Sequence, residues 1–166
     1  MRTITITMVC LLLIAVSALS QQADTPSTTF DPDRAFLLSA TAVAARAAAL
    51  DTDVAYANTT VLERADASTA TGLAYRMAVD RRTPPQRAAS HTSEAEVWAI
   101  VGGRGAITTD GTIIETVENG EAMRHIEGGT VHQVSAGDFL VIPEGVPHQV
   151  TGFDPSLLIV TFEFPR

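Results

Sequence analysis

Gly137-Asp138-Phe139-Leu140-Val141-Ile142-Pro143-Glu144-Gly145-Val146-Pro147-His148 is the stretch whose reading decides the fold. Gly137-Asp138 permits a tight turn, and the apolar run Phe139–Ile142 reads as a strand. Pro143-Glu144-Gly145 then joins a fixed φ to a permissive one for a second reversal. The result is a histidine, His148, delivered onto the start of the returning strand.

The same punctuation extends upstream and downstream. From residue 53 onward, short runs rich in Val, Ile, Thr and aromatics alternate with Gly, Pro, Asp and Asn clusters at roughly regular spacing, the signature of an all-β sandwich or barrel. Strands are expected over Val54–Glu63, Gly72–Val79, Glu96–Val101, Ala106–Thr109, Thr112–Thr116, Gly129–Val134, Phe139–Ile142, His148–Thr151 and Leu157–Phe164. Thr109-Asp110-Gly111-Thr112 carries a hairpin signal, because Asp-Gly tolerates positive φ. Glu118–Glu127, with Asn119-Gly120 and mixed charges, reads as a loop or wide turn on the rim.

The decisive stretch resembles the second motif of the cupin superfamily: Gly, five residues, Pro, one, Gly, two, His, three, Asn. Gly137, Pro143, Gly145 and His148 match, and Gly152 stands where the Asn belongs. The first cupin motif reads Gly, five residues, His, one, His, three or four, Glu, six, Gly. Its second half is present: four residues separate His91 from Glu96, and six separate Glu96 from Gly103. Ala89 occupies the position of the first histidine and Thr83 that of the opening glycine. The resemblance covers about Arg76 to Phe164 and implies a cupin jelly-roll β-barrel or sandwich, commonly dimeric.

Carried over residue by residue, the resemblance implies a metal site of His91, Glu96 and His148, two imidazoles and a carboxylate. That donor set suits Fe(II), with Mn, Ni, Zn and Co as rivals, and leaves coordination positions for other ligands. The competing reading is a metal-free barrel in which the two histidines only satisfy hydrogen bonds. Trp98 shares strand parity with Glu96 and Ile100 and is a candidate pocket wall or ordinary core. Arg87 and Tyr75 are candidates for substrate binding near the barrel mouth, Arg87 as a partner for a carboxylate. Glu94 reads as a surface group, His125 as solvated, and neither His125 nor His132 as a ligand.

The N-terminal segment has a different character. Arg2, the apolar run Met8–Val16 and the small residues Ser17-Ala18-Leu19-Ser20 have the layout of a secretory signal peptide over residues 1–20. A Thr/Ser/Gln/Pro-rich stretch over 21–30 reads as a disordered leader. Residues 31–52, Ala-rich and free of Pro and Gly over Asp33–Leu50, read as a helical segment, one helix or two broken near Ser39, that packs on the outside of the sheet ahead of a barrel domain over 53–166.

Charge and cysteine content exclude several classes. The net charge is −8, and removal of the signal, which holds Arg2 as its only charged residue, leaves −9. That disfavours nucleic acid and anionic membranes as partners. The one cysteine, Cys10, lies in the signal, so the mature chain has no disulfide and no thiolate ligand. No nucleophile elbow, phosphate-cradling loop or zinc-protease helix is present. The expectation is a secreted or periplasmic cupin, with no membrane span after cleavage, that binds a divalent metal and acts on a small organic molecule. The alternative is a metal-free binding module.

Overall fold

A computed structural model describes residues 35–64, 73–118 and 120–165. The expected signal peptide and leader lie outside these residues. Among the described residues the chain is all-β and antiparallel with one short helix: α1 Ala40–Ala48, β1 Tyr56–Leu62, β2 Arg76–Arg82, β3 Glu94–Thr109, β4 Thr112–Glu118, β5 Glu121–Glu127, β6 Thr130–Ser135, β7 Phe139–Ile142 and β8 His148–Pro165. The main sheet runs β1-β2-β8-β3-β6, with β7 also pairing β3, and β4 and β5 form a separate two-stranded sheet.

The helical segment is shorter than its composition suggests. Residues 35–39 have no regular structure, and α1 begins only after Ser39, whose hydroxyl accepts the Ala42 N–H at 3.1 Å. A serine that caps a helix start competes for the backbone it precedes, so alanine content upstream does not extend the helix. Phe36, Leu38, Val43, Ala47 and Leu50 pack with Met77, Val79 and Val160, which places the helical segment against the outer face of the sheet.

Two expected strand pairs are single long strands. Glu96–Val101 and Ala106–Thr109 join in β3 through Gly102, Gly103 and Gly105, and His148–Thr151 and Leu157–Phe164 join in β8 through Gly152 and Pro155. These residues are bulges rather than ends. The β3–β8 ladder passes from Gly102↔Leu158 to Arg104↔Asp154, two residues on one strand against four on the other. Gly103 sits there at φ 74°, and a Cβ on it would lie 1.8 Å from the Ser156 carbonyl oxygen. Bulges are where a sheet tolerates Gly and Pro.

Two further expectations are corrected. Asp110 and Gly111 adopt φ 64° and 68° as Asp-Gly turns do, yet the turn joins two different sheets: Thr109 pairs with Thr130 and His148, whereas Thr112 pairs with Glu127. Glu118–Glu127 is not a rim loop, because Glu121–Glu127 is β5, paired residue for residue with β4. Mixed charge is compatible with a strand whose outer face meets solvent.

Strand parity separates the two faces of the sheet. Odd residues of β2, Met77 and Val79, join the helix-side cluster. The opposite face contributes Trp98, Ile100, Ile107, Val134, Ile142, Val150, Leu157 and Ile159 to the barrel core. Ile107, Leu157 and Ile159 are fully buried, and truncation of any one to alanine should cost about 2–5 kcal/mol.

A candidate metal centre inside the barrel

The reversal between β7 and β8 is tied directly to the segment before β3. Gly145, at φ 77°, donates its N–H to the His91 carbonyl at 2.7 Å, and the Ser90 hydroxyl donates to the Gly145 carbonyl at 2.9 Å. Ala89 and His148 form an antiparallel bridge. Backbone pairing therefore brings His91 and His148 together, with ring centroids 5.3 Å apart. Glu96, near the start of β3, points to the same place.

The three donors are close enough to share one ion. His148 Nε2 lies 3.3 Å from Glu96 Oε2, and His91 Nε2 lies 3.7 Å from Glu96 Oε1. One donor atom from each of the three residues lies within 4.8 Å of the others. Ligands held at about 2.1 Å around one cation stand roughly 3–3.5 Å apart at octahedral or tetrahedral angles, so the arrangement fits a divalent ion with little movement.

The surroundings prepare the donors. His148 is buried, and its Nδ1 lies 3.1 Å from the Val146 carbonyl, which holds the N–H on Nδ1 and leaves the Nε2 lone pair toward Glu96. Burial pushes its pKa down to about 4, with His91 and Arg82 adding to the depression, so the ring is neutral at pH 7. Burial also raises the Glu96 carboxyl above its ordinary value, against the lowering effect of His91 and Arg82. A buried carboxylate beside a neutral His148 is short of positive charge, and a cation supplies it.

Trp98 is fully buried, and it does more than fill space. Its Nε1–H donates to Glu96 Oε2 at 3.1 Å, and its ring meets His148 edge-on at 5.3 Å. Beyond Trp98 lies a group the strand assignment missed. Arg82 stacks on the Trp98 ring at 4.4 Å and on Tyr56 at 4.7 Å, and its Nη2 meets Asp80 Oδ2 at 3.2 Å. Asp80 also accepts the Thr161 hydroxyl at 2.8 Å. The signal for Arg82 was parity, lost because β2 was expected to end at Val79.

Two other candidates are placed elsewhere. Arg87 is exposed, and its Nη2 donates to the Ala122 carbonyl of β5. Tyr75 precedes β2 on the helix side and packs 6.0 Å from Phe164. Among the described residues neither makes a hydrogen bond or ring contact with the triad. Glu94 is not a free surface group either: it pairs with Arg64 at 2.6 Å, its side chain 20% exposed. His132 bonds Thr109 Oγ1 at 2.9 Å and His125 lies 3.7 Å from Glu127, both apart from the triad.

The hairpin of the second motif, its pairing with the first-motif segment and the convergence of His91, Glu96 and His148 together decide the fold. The chain has the antiparallel β fold that the cupin resemblance implies. Solved structures similar to it include a predicted oxalate decarboxylase from Thermotoga maritima, at 16% identity and TM-score 0.45, over 67% of this chain and 81% of that one. KdgF from a Halomonas species matches at 17% identity and TM-score 0.42, over 70% and 85% of the two chains. A cupin-2 domain protein from Rhodospirillum rubrum matches at 16% and 0.44, over 68% and 61%. No protein-family model and no curated protein matches the sequence. The cupin assignment rests on the motifs and their pairing rather than on these distant likenesses.

Proposed function

We propose that this cupin binds one divalent metal ion through His91, Glu96 and His148 and acts with it on a small organic molecule, by dioxygenase, isomerase or lyase chemistry. The observation that carries the reading is the approach of three donor atoms to within 4.8 Å of one another, two of them on buried side chains. Fe(II) is the favoured ion, with Mn, Ni, Zn and Co as rivals, since two imidazoles and a carboxylate suit all five. When bound, such an ion supplies Lewis acidity or dioxygen activation. The protein's own part is to hold neutral imidazole on Nε2, to fix Glu96 through the Trp98 N–H, and to keep one wall of the site dry.

Export to a secreted or periplasmic location and homodimerisation belong to the same proposal, the first resting on the layout of residues 1–20 and the second on the cupin resemblance. Light scattering reads the second directly. Among the described residues no helix is long and apolar enough to cross a membrane.

The alternative, a metal-free module that binds a small molecule in the barrel, is favoured by one observation. The Trp98 N–H already gives the buried Glu96 carboxylate a hydrogen-bond partner without an ion. Elemental analysis of protein expressed without chelators separates the two. About one equivalent of a transition metal per chain supports the enzyme reading, and none after exposure to all five ions supports the binding module.

A further inference from the structure

We propose that Arg82 anchors an anionic group on the molecule that binds at the triad, so that the site takes small carboxylates in preference to neutral or cationic compounds. This deepens, and rests on, the reading that a small organic molecule binds there. Arg82 ends β2 on the barrel-facing side, one side chain away from the triad: its guanidinium stacks on Trp98 at 4.4 Å, and Trp98 in turn bonds Glu96 and abuts His148. Tyr56, 4.7 Å away, also stacks on it. Both rings lie against the guanidinium.

Its hydrogen-bonding capacity is left largely unused. A guanidinium offers five N–H donors in one plane. Among the described residues only Nη2 has a partner, Asp80 Oδ2 at 3.2 Å, and Nε is buried with none. The side chain keeps 17% of its exposure, so it is neither sealed in the core nor free in solvent. Held against two rings and by one arm, the guanidinium keeps N–H donors for an anion at its partly exposed side.

The charge balance points the same way. Asp80 and Arg82 cancel, and Glu96 with two neutral imidazoles and a divalent ion carries one net positive charge. A monoanion is the complement. A cationic ligand meets repulsion from the ion.

The test is calorimetric titration of the full chain, metal-free and zinc-loaded, with acetate, glycolate and malonate, and with malonamide as the neutral control of matching shape. The fluorescence of Trp98, the only tryptophan, serves as a second readout. At least one carboxylate should bind about tenfold or more tighter than malonamide, and Arg82→Gln should weaken it by about tenfold or more, a difference of about 1.4 kcal/mol. Zinc affinity should change less than carboxylate affinity, because Arg82 reaches the donors only through Trp98. Arg82→Lys, which keeps the charge and loses the fork, should fall between. If Arg82→Gln fails to fold with Asp80 left alone, the double variant Asp80→Asn/Arg82→Gln removes both charges and should show the same loss. Equal affinity for malonate and malonamide, unchanged carboxylate binding in the variants, or no carboxylate binding would overturn the proposal. Failure to bind zinc would overturn only the metal reading, since titration of the metal-free protein still reports on Arg82.

Discussion

Ala89 and His148 face each other across an antiparallel bridge, each donating its backbone N–H to the other's carbonyl at 2.9 Å. Residues paired in this way project their side chains to the same side of the sheet, with Cβ atoms about 5 Å apart. The Ala89 methyl therefore emerges on the His148 side of the bridge, at the position where cupins usually carry a further histidine. Ala89→His should add a fourth donor without rearranging the barrel. Affinity for Zn, Ni or Co should rise by about tenfold or more, which needs only about 1.4 kcal/mol from the added imidazole. Calorimetric titration at pH 7.5 checks it, and an affinity equal to that of the wild type would mean that residue 89 does not reach the ion.

The Trp98 N–H bond to Glu96 separates positioning from packing. Trp98→Phe keeps an aromatic ring but removes the donor, leaving Glu96 Oε2 free to turn away from the ion. Loss of such an outer hydrogen bond typically weakens metal binding about 10- to 100-fold. A fall in melting temperature with unchanged metal affinity would assign Trp98 to packing alone.

His148 makes the metal-free protein sensitive to mild acid. The unfolded chain takes up a proton on this ring near pH 6.5, and the folded chain only near 4, because burial excludes the charged form. Stability from the neutral ring is thus complete above 6.5 and is lost as the pH falls through that window, by on the order of 3 kcal/mol. The raised Glu96 carboxyl works in the opposite sense, because its proton uptake favours the folded state on acidification, so the observed loss is smaller. Urea unfolding between pH 7 and 4 should show the decline, and His148→Gln should flatten it. An equally steep decline in His148→Gln would place the sensitive group elsewhere.

Export is checked at the N-terminus. Protein recovered from the exported fraction should begin at or near Gln21, where small residues at Ala18 and Ser20 precede the cut. Edman sequencing or intact mass reads this, and an exported chain that retains Met1 would indicate an uncleaved anchor.

The legible part of this fold lay where sequence spacing and physical demand coincide. Pro143, Gly145 and His148 sit at motif positions and Glu96 and Trp98 share strand parity, so the convergence of the three donors and the burial of Trp98 beside them were legible. Gly102, Gly103, Gly152 and Pro155 misled for a physical reason: Gly and Pro mark bulges as well as ends, and only the partner strand distinguishes them. Arg82 was hidden by a strand end placed three residues early. The contacts of Arg87 and Tyr75, with the Ala122 carbonyl and Phe164, involve strands far along the chain and so were not legible locally.

The most direct test of the central claim is a titration of metal-free wild type, His148→Ala and Glu96→Gln with Fe(II), under anaerobic conditions, and with zinc. The account predicts one ion per wild-type chain and a loss of affinity of at least about 100-fold in each variant, since removing one of three donors opens the site. Folded wild type that binds neither ion, or variants that bind as tightly as wild type, would contradict it.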